Sequence, residues 1–259
     1  LIRGVRKASD FLMALQLSGA AKETSLANLQ VRLPAGIIGG GLTAIDTCTE
    51  VLAYYPVQVE KVLHRYENLS RLHGETAVRN MYDPEELGIL DEFLSHGRAI
   101  QAERQRAASA GEKPNFLPLL ESWGGVTMFY RKGIEDAPAY RQNAEEIEEA
   151  LAEGIRLAPG MSPLEAIEDE RGHIQAVKFE KLEQVEGKWT RSNTLDVPLR
   201  SLFVAAGTSP NTIYESEHPD SFTMDKKFYQ RYEPEWNDAE MKLVETHDET
   251  SPKIGKPAP

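Results

Sequence analysis

The chain of 259 residues lacks several features that would assign it to common classes of protein. Its one cysteine, Cys48, excludes an internal disulfide and the redox-active Cys-x-x-Cys pair of disulfide reductases, and it favours a cytoplasmic location. The apolar runs are far shorter than the ~20 residues that span a bilayer. Positive charge is scarce, because 29 Lys and Arg stand against 41 Asp and Glu for a net charge of −12. Neither a nucleic acid nor a membrane surface is therefore expected as a partner.

The sequence also shows no set of residues arranged for catalysis or metal binding. No serine stands in a nucleophile elbow, and no basic residue is apparent near Cys48, which is expected to be a buried small hydrophobic side chain. The histidines have no metal-like spacing; they are His64, His73, His96, His173, His218 and His247. Catalytic residues therefore stay unassigned, and no metal site is expected.

A glycine-rich turn between an apolar run and a helical pattern is the most informative segment of the chain. It consists of Gly39, Gly40, Gly41, Leu42, Thr43 and Ala44. Between a buried strand and a helix N-terminus, the backbone N–H groups of such a turn cradle the pyrophosphate of a dinucleotide. The small Ala44 would let the helix pack on the strand. An ordinary glycine-rich turn is the alternative, and Thr43 would either bind a phosphate oxygen or cap the helix.

Hydrophobic periodicity predicts an α/β fold. Helices are expected over residues 5–17, 45–55 and 143–153. Parallel strands are expected over 31–38, 126–130, 155–158 and 201–206. The first of these should truly start at Ala35, because Pro34 would cost a ladder hydrogen bond. Hairpins over 162–197 complete a Rossmann-like parallel sheet with a β-meander crossover, a three-layer ββα arrangement. The expected organisation is an N-terminal helix and connector (1–30), a dinucleotide-binding domain (31–212) with a helical insertion (56–125), and an acidic C-terminal tail (213–259).

Four segments occur in a characteristic order along the chain. They are GIIGGGLTAIDTCTE over 36–50, VTMFYRK over 126–132, EDAPA with AEEIEEALAEG over 135–154, and the closing residues Ala205, Gly207, Pro210 and Asn211. Together they resemble the NAD(P)H-binding domain of the glutamate synthase small-chain family, within the pyridine nucleotide–disulfide oxidoreductase-like flavoproteins. The opening GVRKASDFLMAL resembles the connector that leads out of the flavin domain in that family. The resemblance implies that Ala205, Ala206 and Gly207 border the nicotinamide, although a plain tight turn is the alternative.

The family resemblance also implies how the work is divided along a longer chain. No second glycine-rich fingerprint for FAD is evident, and the first residue is Leu1. We expect an excised domain, inactive alone, that binds NADP(H) or NAD(H) and orients the hydride. The FAD would lie on the flavin domain of the full-length chain, with an electron-accepting subunit as a further partner. Two other hypotheses stay open: a free-standing NAD(P)-dependent dehydrogenase with its substrate site in the insertion, and a degenerate Rossmann module used for assembly.

The end of the second strand indicates which nicotinamide cofactor is bound. NAD-specific folds place Asp or Glu there, on the ribose hydroxyls. Here Arg131 and Lys132 follow the strand, and two cations at that point would hold the 2′-phosphate of NADP(H). The alternative is that both are solvated loop charges. Arg141 is a weaker third candidate, and the nearby acidic pair 135–136 would blunt the positive field.

Overall fold

The computed structural model of the protein describes residues 2–185, 187–207, 212–226, 228–237 and 240–246. The chain divides into two compact units, residues 1–207 and residues 208–259. Pro210, Asn211, His247 and the end of the tail lie outside the described residues. In chain order the elements of the first unit are β1 (Val5–Lys7), α1 (Ala8–Ser18), β2 (Ala35–Ile38), α2 (Leu42–His73), α3 (Glu75–Arg79), α4 (Pro84–Ala110), α5 (Leu117–Ser122), β3 (Val126–Tyr130), a 3-10 turn (Ile134–Asp136), α6 (Pro138–Gln142), α7 (Ala144–Ala152), β4 (Arg156–Pro159), β5 (Met161–Glu168), β6 (Ile174–Val185), β7 (Lys188–Pro198) and β8 (Ser201–Val204).

A five-stranded parallel sheet with the order β1-β8-β2-β3-β4 forms the centre of the first unit. Between β4 and β8 the chain forms the antiparallel sheet β5-β6-β7. The Rossmann-like fold with a β-meander crossover is therefore confirmed. The strand expected to start at Ala35 does start there.

The two faces of the parallel sheet bury different partners because side chains alternate along each strand. Ala35 and Ile37 of β2 belong to the large core that also contains residues of α1, α2 and α7. Phe129 of β3 and Leu202 of β8 belong to a second core with Phe179 of the meander, and the rings of Phe129 and Phe179 stack with centroids 4.5 Å apart. The meander, the sheet and the helices thus form three layers.

The expected helix over 5–17 is wrong in its first turn. Val5–Lys7 is instead an edge strand that pairs in parallel with β8, and α1 starts at Ala8. Three residues are too few to show an alternating pattern, and the partner strand lies at the far end of the unit. The sequence pattern therefore predicts a single helix where the structure has β1 followed by α1.

The helix after the glycine turn is much longer than expected. It was expected to end at Tyr55, before the insertion, but α2 continues through Pro56 to His73. Proline in a helix interior removes one backbone hydrogen bond. Pro56 is buried in this helix, between the fully buried Tyr55 and the buried Val59. Packing therefore keeps α2 continuous where the local sequence favours a break.

The rest of the insertion is helical, as expected. Helix α4 begins with a capping box, in which the Asp83 carboxylate accepts from two backbone N–H groups and the Glu86 carboxylate accepts from the Asp83 N–H. Helices α2 and α4 pack closely, because a Cβ on Gly97 would lie 2.7 Å from the carbonyl oxygen of Val59. No described helix is both long enough and apolar enough to cross a membrane.

The second unit contains short antiparallel pairs where the sequence shows no period. Its described elements are α8 (Ile213–Glu217), β9 (Met224–Asp225), β10 (Phe228–Tyr229), β11 (Arg231–Asn237) and β12 (Glu240–Thr246). Strand β9 pairs with β10, and β11 pairs with β12. The last part of the expected acidic tail, residues 247–259, lies outside the described residues.

Candidate functional site

Three strand ends meet at the carboxyl edge of the parallel sheet. Ile38 at the end of β2 is in register with Val204 of β8 on one side and with Phe129 of β3 on the other. The chain leaves β2 toward β3 and β4, while β8 and β1 lie on its other side, so the strand order reverses at β2. Ligands of open α/β sheets bind in the crevice at such a point. The glycine turn, residues 131–132 and residues 205–207 are therefore brought together at one edge.

Backbone hydrogen bonds fix the glycine turn to its neighbours. The Gly39 N–H donates to the Phe129 carbonyl at 3.1 Å, and the Ile38 carbonyl accepts from the Ala205 N–H at 2.7 Å. The Gly40 carbonyl accepts from the Ala139 N–H at the start of α6, at 2.9 Å. These bonds hold the turn to the ends of β3 and β8 and to α6.

Some N–H groups of the turn have no acceptor among the described residues. Gly41 is the N-cap of α2 and its first turn receives no side-chain cap. Within the described part of the chain, the N–H groups of Gly41, Leu42 and Thr43 meet no backbone or side-chain acceptor. Thr43 lies inside the helix and not at its cap, so the interpretation of Thr43 as a capping residue is wrong. Three donors and the positive end of a 32-residue helix converge at this point.

The three glycines differ in what a side chain would meet. A Cβ on Gly39 would lie 2.4 Å from the carbonyl oxygen of Ala205, and one on Gly40 would lie 2.5 Å from the ring of Tyr130. Close packing inside the protein therefore accounts for glycine at both positions. Among the described residues, a Cβ on Gly41 would meet nothing within 4 Å. Its φ of −96° and ψ of 173° are values that any residue adopts, so neither packing nor backbone strain accounts for glycine here.

The two cations after β3 are free of acidic partners within the described residues. Arg131 is exposed and Lys132 is half-buried, and no ion pair is formed by either side chain among those residues. The third candidate, Arg141, pairs with Asp136 at 3.3 Å and is therefore already engaged. The second oxygen of Asp136 accepts from the indole N–H of Trp189 at 3.2 Å.

Cys48 has the environment expected of an inert thiol. It is fully buried in the core against which α2 packs, and burial strongly raises the pKa of its thiol. Among the residues that the structure describes, no three His, Cys, Asp or Glu side chains lie close enough to hold a metal ion.

A cleft of about 490 Å³ opens between α2 and α4 in the insertion. Two of its cations are held within the protein: Arg104 pairs with Glu60 at 2.7 Å, and the Lys61 ammonium donates to the Ala20 carbonyl at 2.6 Å. Burial, reinforced by the charge of Arg65, lowers the pKa of Lys61. His64 and Glu23 also line the cleft, with largely exposed side chains 3.7 Å apart.

Sequence reasoning missed the contacts that hold the residues after β3. Trp189 was assigned only to a strand, because its contact with Asp136 exists only once the meander folds over the sheet. The contact of Tyr130 with Gly40 was missed for a similar reason, since it joins the ends of two neighbouring strands. A strand-ending tyrosine and a lone tryptophan were the available signals, and neither specifies a partner.

Similarity to known proteins is found both in sequence and in structure. No family model matches the chain. It is 31% identical over 226 residues to Uncharacterized protein RP006 of Rickettsia prowazekii (strain Madrid E), an alignment covering 82% of this chain and 30% of that protein. Among solved structures, thioredoxin reductase of Lactococcus lactis matches with a TM-score of 0.36 and 14% identity, over 85% of this chain and 41% of that one. FprA from Mycobacterium tuberculosis matches with a TM-score of 0.36 and 14% identity, over 81% and 47%.

The chain thus spans less than a third of the curated relative and less than half of each structural neighbour.

Proposed function

We propose that the β2–α2 turn binds the pyrophosphate of a nicotinamide dinucleotide, and that the chain is the NADP(H)-binding domain of a larger FAD-dependent oxidoreductase. The observation that carries the proposal is Gly41. Its Cβ position is open space within the part of the chain that the structure describes, and its backbone conformation is ordinary. A ligand that approaches the backbone closely would account for a glycine that the protein's own packing leaves unexplained.

The surrounding chemistry supports an anionic ligand at that open space. The N–H groups of Gly41, Leu42 and Thr43, which have no acceptor among the described residues, would donate to phosphate oxygens, with the dipole of α2 favouring negative charge. Ala44 is fully buried and lets the first turn of α2 approach the sheet. A net charge of −12 does not oppose this, since the donors act locally at the helix end.

The cations beside the turn support NADP(H) over NAD(H). Arg131 and Lys132 follow the strand next to β2, where an NAD-specific fold would place a carboxylate. Neither has an acidic partner among the described residues, whereas Arg141 is held by Asp136. A 2′-phosphate would accept from the Arg131 guanidinium in a bidentate contact and from the Lys132 ammonium as a point charge.

The end of β8 would receive the other half of the cofactor. Ala205 is half-buried beside Gly39, and Ala206 and Gly207 are exposed at the carboxyl edge. Small side chains leave room for a flat ring to lie against the backbone. The bound nicotinamide supplies a hydride, and this edge would orient it toward a flavin on another part of the longer chain.

A matched pair of glycine variants tests the proposal. Gly41→Val would place a branched side chain in the open space at the turn and should abolish dinucleotide binding. Gly88→Val provides the control, because Gly88 is an exposed residue of α4 whose Cβ also meets nothing within 4 Å. Titration calorimetry with NADPH and NADH should show binding by the wild type and by Gly88→Val only.

Two outcomes would contradict the proposal. Equal affinity in the wild type and Gly41→Val would place the cofactor elsewhere. A wild-type chain that binds neither NADPH nor NADH would instead support the hypothesis of a degenerate module used for assembly. Circular dichroism of both variants shows whether each retains its fold.

A further inference from the structure

The carboxylate of Asp136 is occupied on both oxygens. One oxygen accepts from the Arg141 guanidinium at 3.3 Å, and the other from the Trp189 indole N–H at 3.2 Å. Asp136 ends the 3-10 turn that follows Arg131 and Lys132. Its own backbone is fixed as well, since its N–H donates to the Gly133 carbonyl at 3.1 Å and its carbonyl accepts from the Tyr130 hydroxyl at 3.2 Å.

Trp189 reaches this turn from the meander. It lies near the start of β7, opposite Gln184 of β6. Its ring lies 3.4 Å from the position of a Cβ on Gly133 and 3.7 Å from that of a Cβ on Gly160. The Gly160 N–H in turn donates to the Lys132 carbonyl at 3.1 Å. The indole therefore packs against the turn from which the two cations project.

Building on the proposed function, we propose that Trp189 is a positioning residue that sets the preference for NADP(H), because it holds the Asp136 carboxylate away from Arg131 and Lys132. Asp136 follows both cations closely in sequence, and its carboxylate is fixed by partners from two other elements, β7 and α6. Without the indole N–H, one oxygen of this carboxylate would be free to accept from the same cations that would hold the 2′-phosphate. An internal anion would then compete with the ligand for the same donors.

The predicted signature is a loss specific to one cofactor. Trp189→Phe keeps an aromatic ring against Gly133 but removes the N–H donor. It should lower the ratio of NADP(H) to NAD(H) affinity by about three- to tenfold, the net effect of one typical hydrogen bond. The NAD(H) affinity itself should hardly change. Trp236→Phe is the matched control, because Trp236 is 76% exposed, and it should leave the ratio unchanged.

A double-mutant cycle separates this role from simple support of the turn. Asp136→Asn removes the competing charge, so adding Trp189→Phe to it should change the affinity ratio by less than about twofold. If Trp189→Phe weakens both cofactors equally, or has its full effect in the Asp136→Asn background, the inference is overturned. If Trp189→Phe does not fold, Asp136→Asn alone tests the inference. This variant should keep or raise the preference for NADP(H), and a lower preference would refute the proposed role of Trp189.

A ligand-free readout keeps this test distinct from that of the function. The ¹⁵N-indole resonance of Trp189 should shift in Asp136→Asn, while those of Trp123 and Trp236 stay in place. A shift in a chain that binds no dinucleotide would confirm the contact but overturn the proposed function, and the cofactor preference with it. An unmoved resonance in a chain that binds NADPH would overturn the inference about Trp189 alone.

Discussion

One methyl group added at each glycine of the turn should give three different results. In Gly39→Ala the new Cβ would lie 2.4 Å from the Ala205 carbonyl oxygen, roughly 1 Å inside ordinary contact. That carbonyl belongs to backbone whose N–H is bonded to the Ile38 carbonyl at 2.7 Å, so it cannot withdraw without loosening the sheet. We expect a loss of about 3 kcal/mol of unfolding free energy, the upper end for overpacking.

Alanine at the other two glycines should lower the unfolding free energy by progressively less. In Gly40→Ala the Cβ would lie 2.5 Å from the ring of Tyr130, which is a side chain and can yield in part. Its hydroxyl is held by the Asp136 carbonyl at 3.2 Å, so we expect a loss of about 2 kcal/mol. In Gly41→Ala the Cβ would meet nothing within 4 Å among the described residues, at a φ of −96°. It should change the unfolding free energy by less than about 0.5 kcal/mol, because restriction of the unfolded chain is offset by the poorer N-cap that alanine provides.

The loss of NADPH affinity should not follow the loss of unfolding free energy in this series. Gly41→Ala places its methyl group where the pyrophosphate is proposed to lie, so it should weaken NADPH binding by more than about tenfold, or ~1.4 kcal/mol. Urea denaturation followed by circular dichroism gives the stabilities, and calorimetry gives the affinities. If Gly41→Ala is as destabilising as Gly39→Ala, the space beside Gly41 is filled by the chain itself and the reasoning fails.

Two further predictions concern Arg131 and the half-buried His96. Arg131→Ala should weaken NADP(H) by about tenfold and leave NAD(H) nearly unchanged, with the NADP(H) advantage shrinking as salt is raised; equal losses in calorimetry would show that Arg131 is a solvated bystander. Burial lowers the pKa of His96 from 6.5 to about 4, and its Nδ1 lies 2.7 Å from the Tyr55 hydroxyl. Because the unfolded chain takes up this proton first, stability should be lost as the pH falls from about 6.5 toward 4. Since His96 is only half-buried, we expect a discounted loss of about 1–2 kcal/mol by pH 5. Urea titrations at pH 7.5 and pH 5 should show a smaller loss for His96→Gln, and identical pH dependence would contradict the assignment.

The sequence predicted the elements whose signals are local. Strand β2, the glycine turn and the meander hairpins follow from apolar runs and turn residues that need no distant partner. Strand β1 was missed because Val5–Lys7 becomes a strand only beside β8, which lies far along the chain. The length of α2 was missed because burial of Pro56 outweighs its lost hydrogen bond, an effect of packing that periodicity does not report.

The candidate site divides in the same way. The segments that supply its backbone donors and cations were identified from the sequence, because motif spacing places them at strand ends. Their partners were not identified: Tyr130 under Gly40, Ala139 bonded to Gly40, and Trp189 bonded to Asp136. Each of these contacts joins residues from different elements. The sequence therefore predicts the residues that would contact a ligand, while the structure shows the residues that hold those residues in position.

The position of the insertion explains how it can coexist with a binding edge. It is tied to the sheet at the amino ends of the strands, where the Glu92 carboxylate of α4 accepts from Arg32, before β2, at 2.6 Å and from Arg200, before β8, at 2.8 Å. Near the start of α4, Glu85 pairs with His173 in the β5–β6 turn, beside Arg3 and the start of β1. The glycine turn lies at the opposite ends of the same strands. The helices that follow the turn can therefore pack against the fold without covering the carboxyl edge, because the contacts of Glu85 and Glu92 hold α4 at the amino edge.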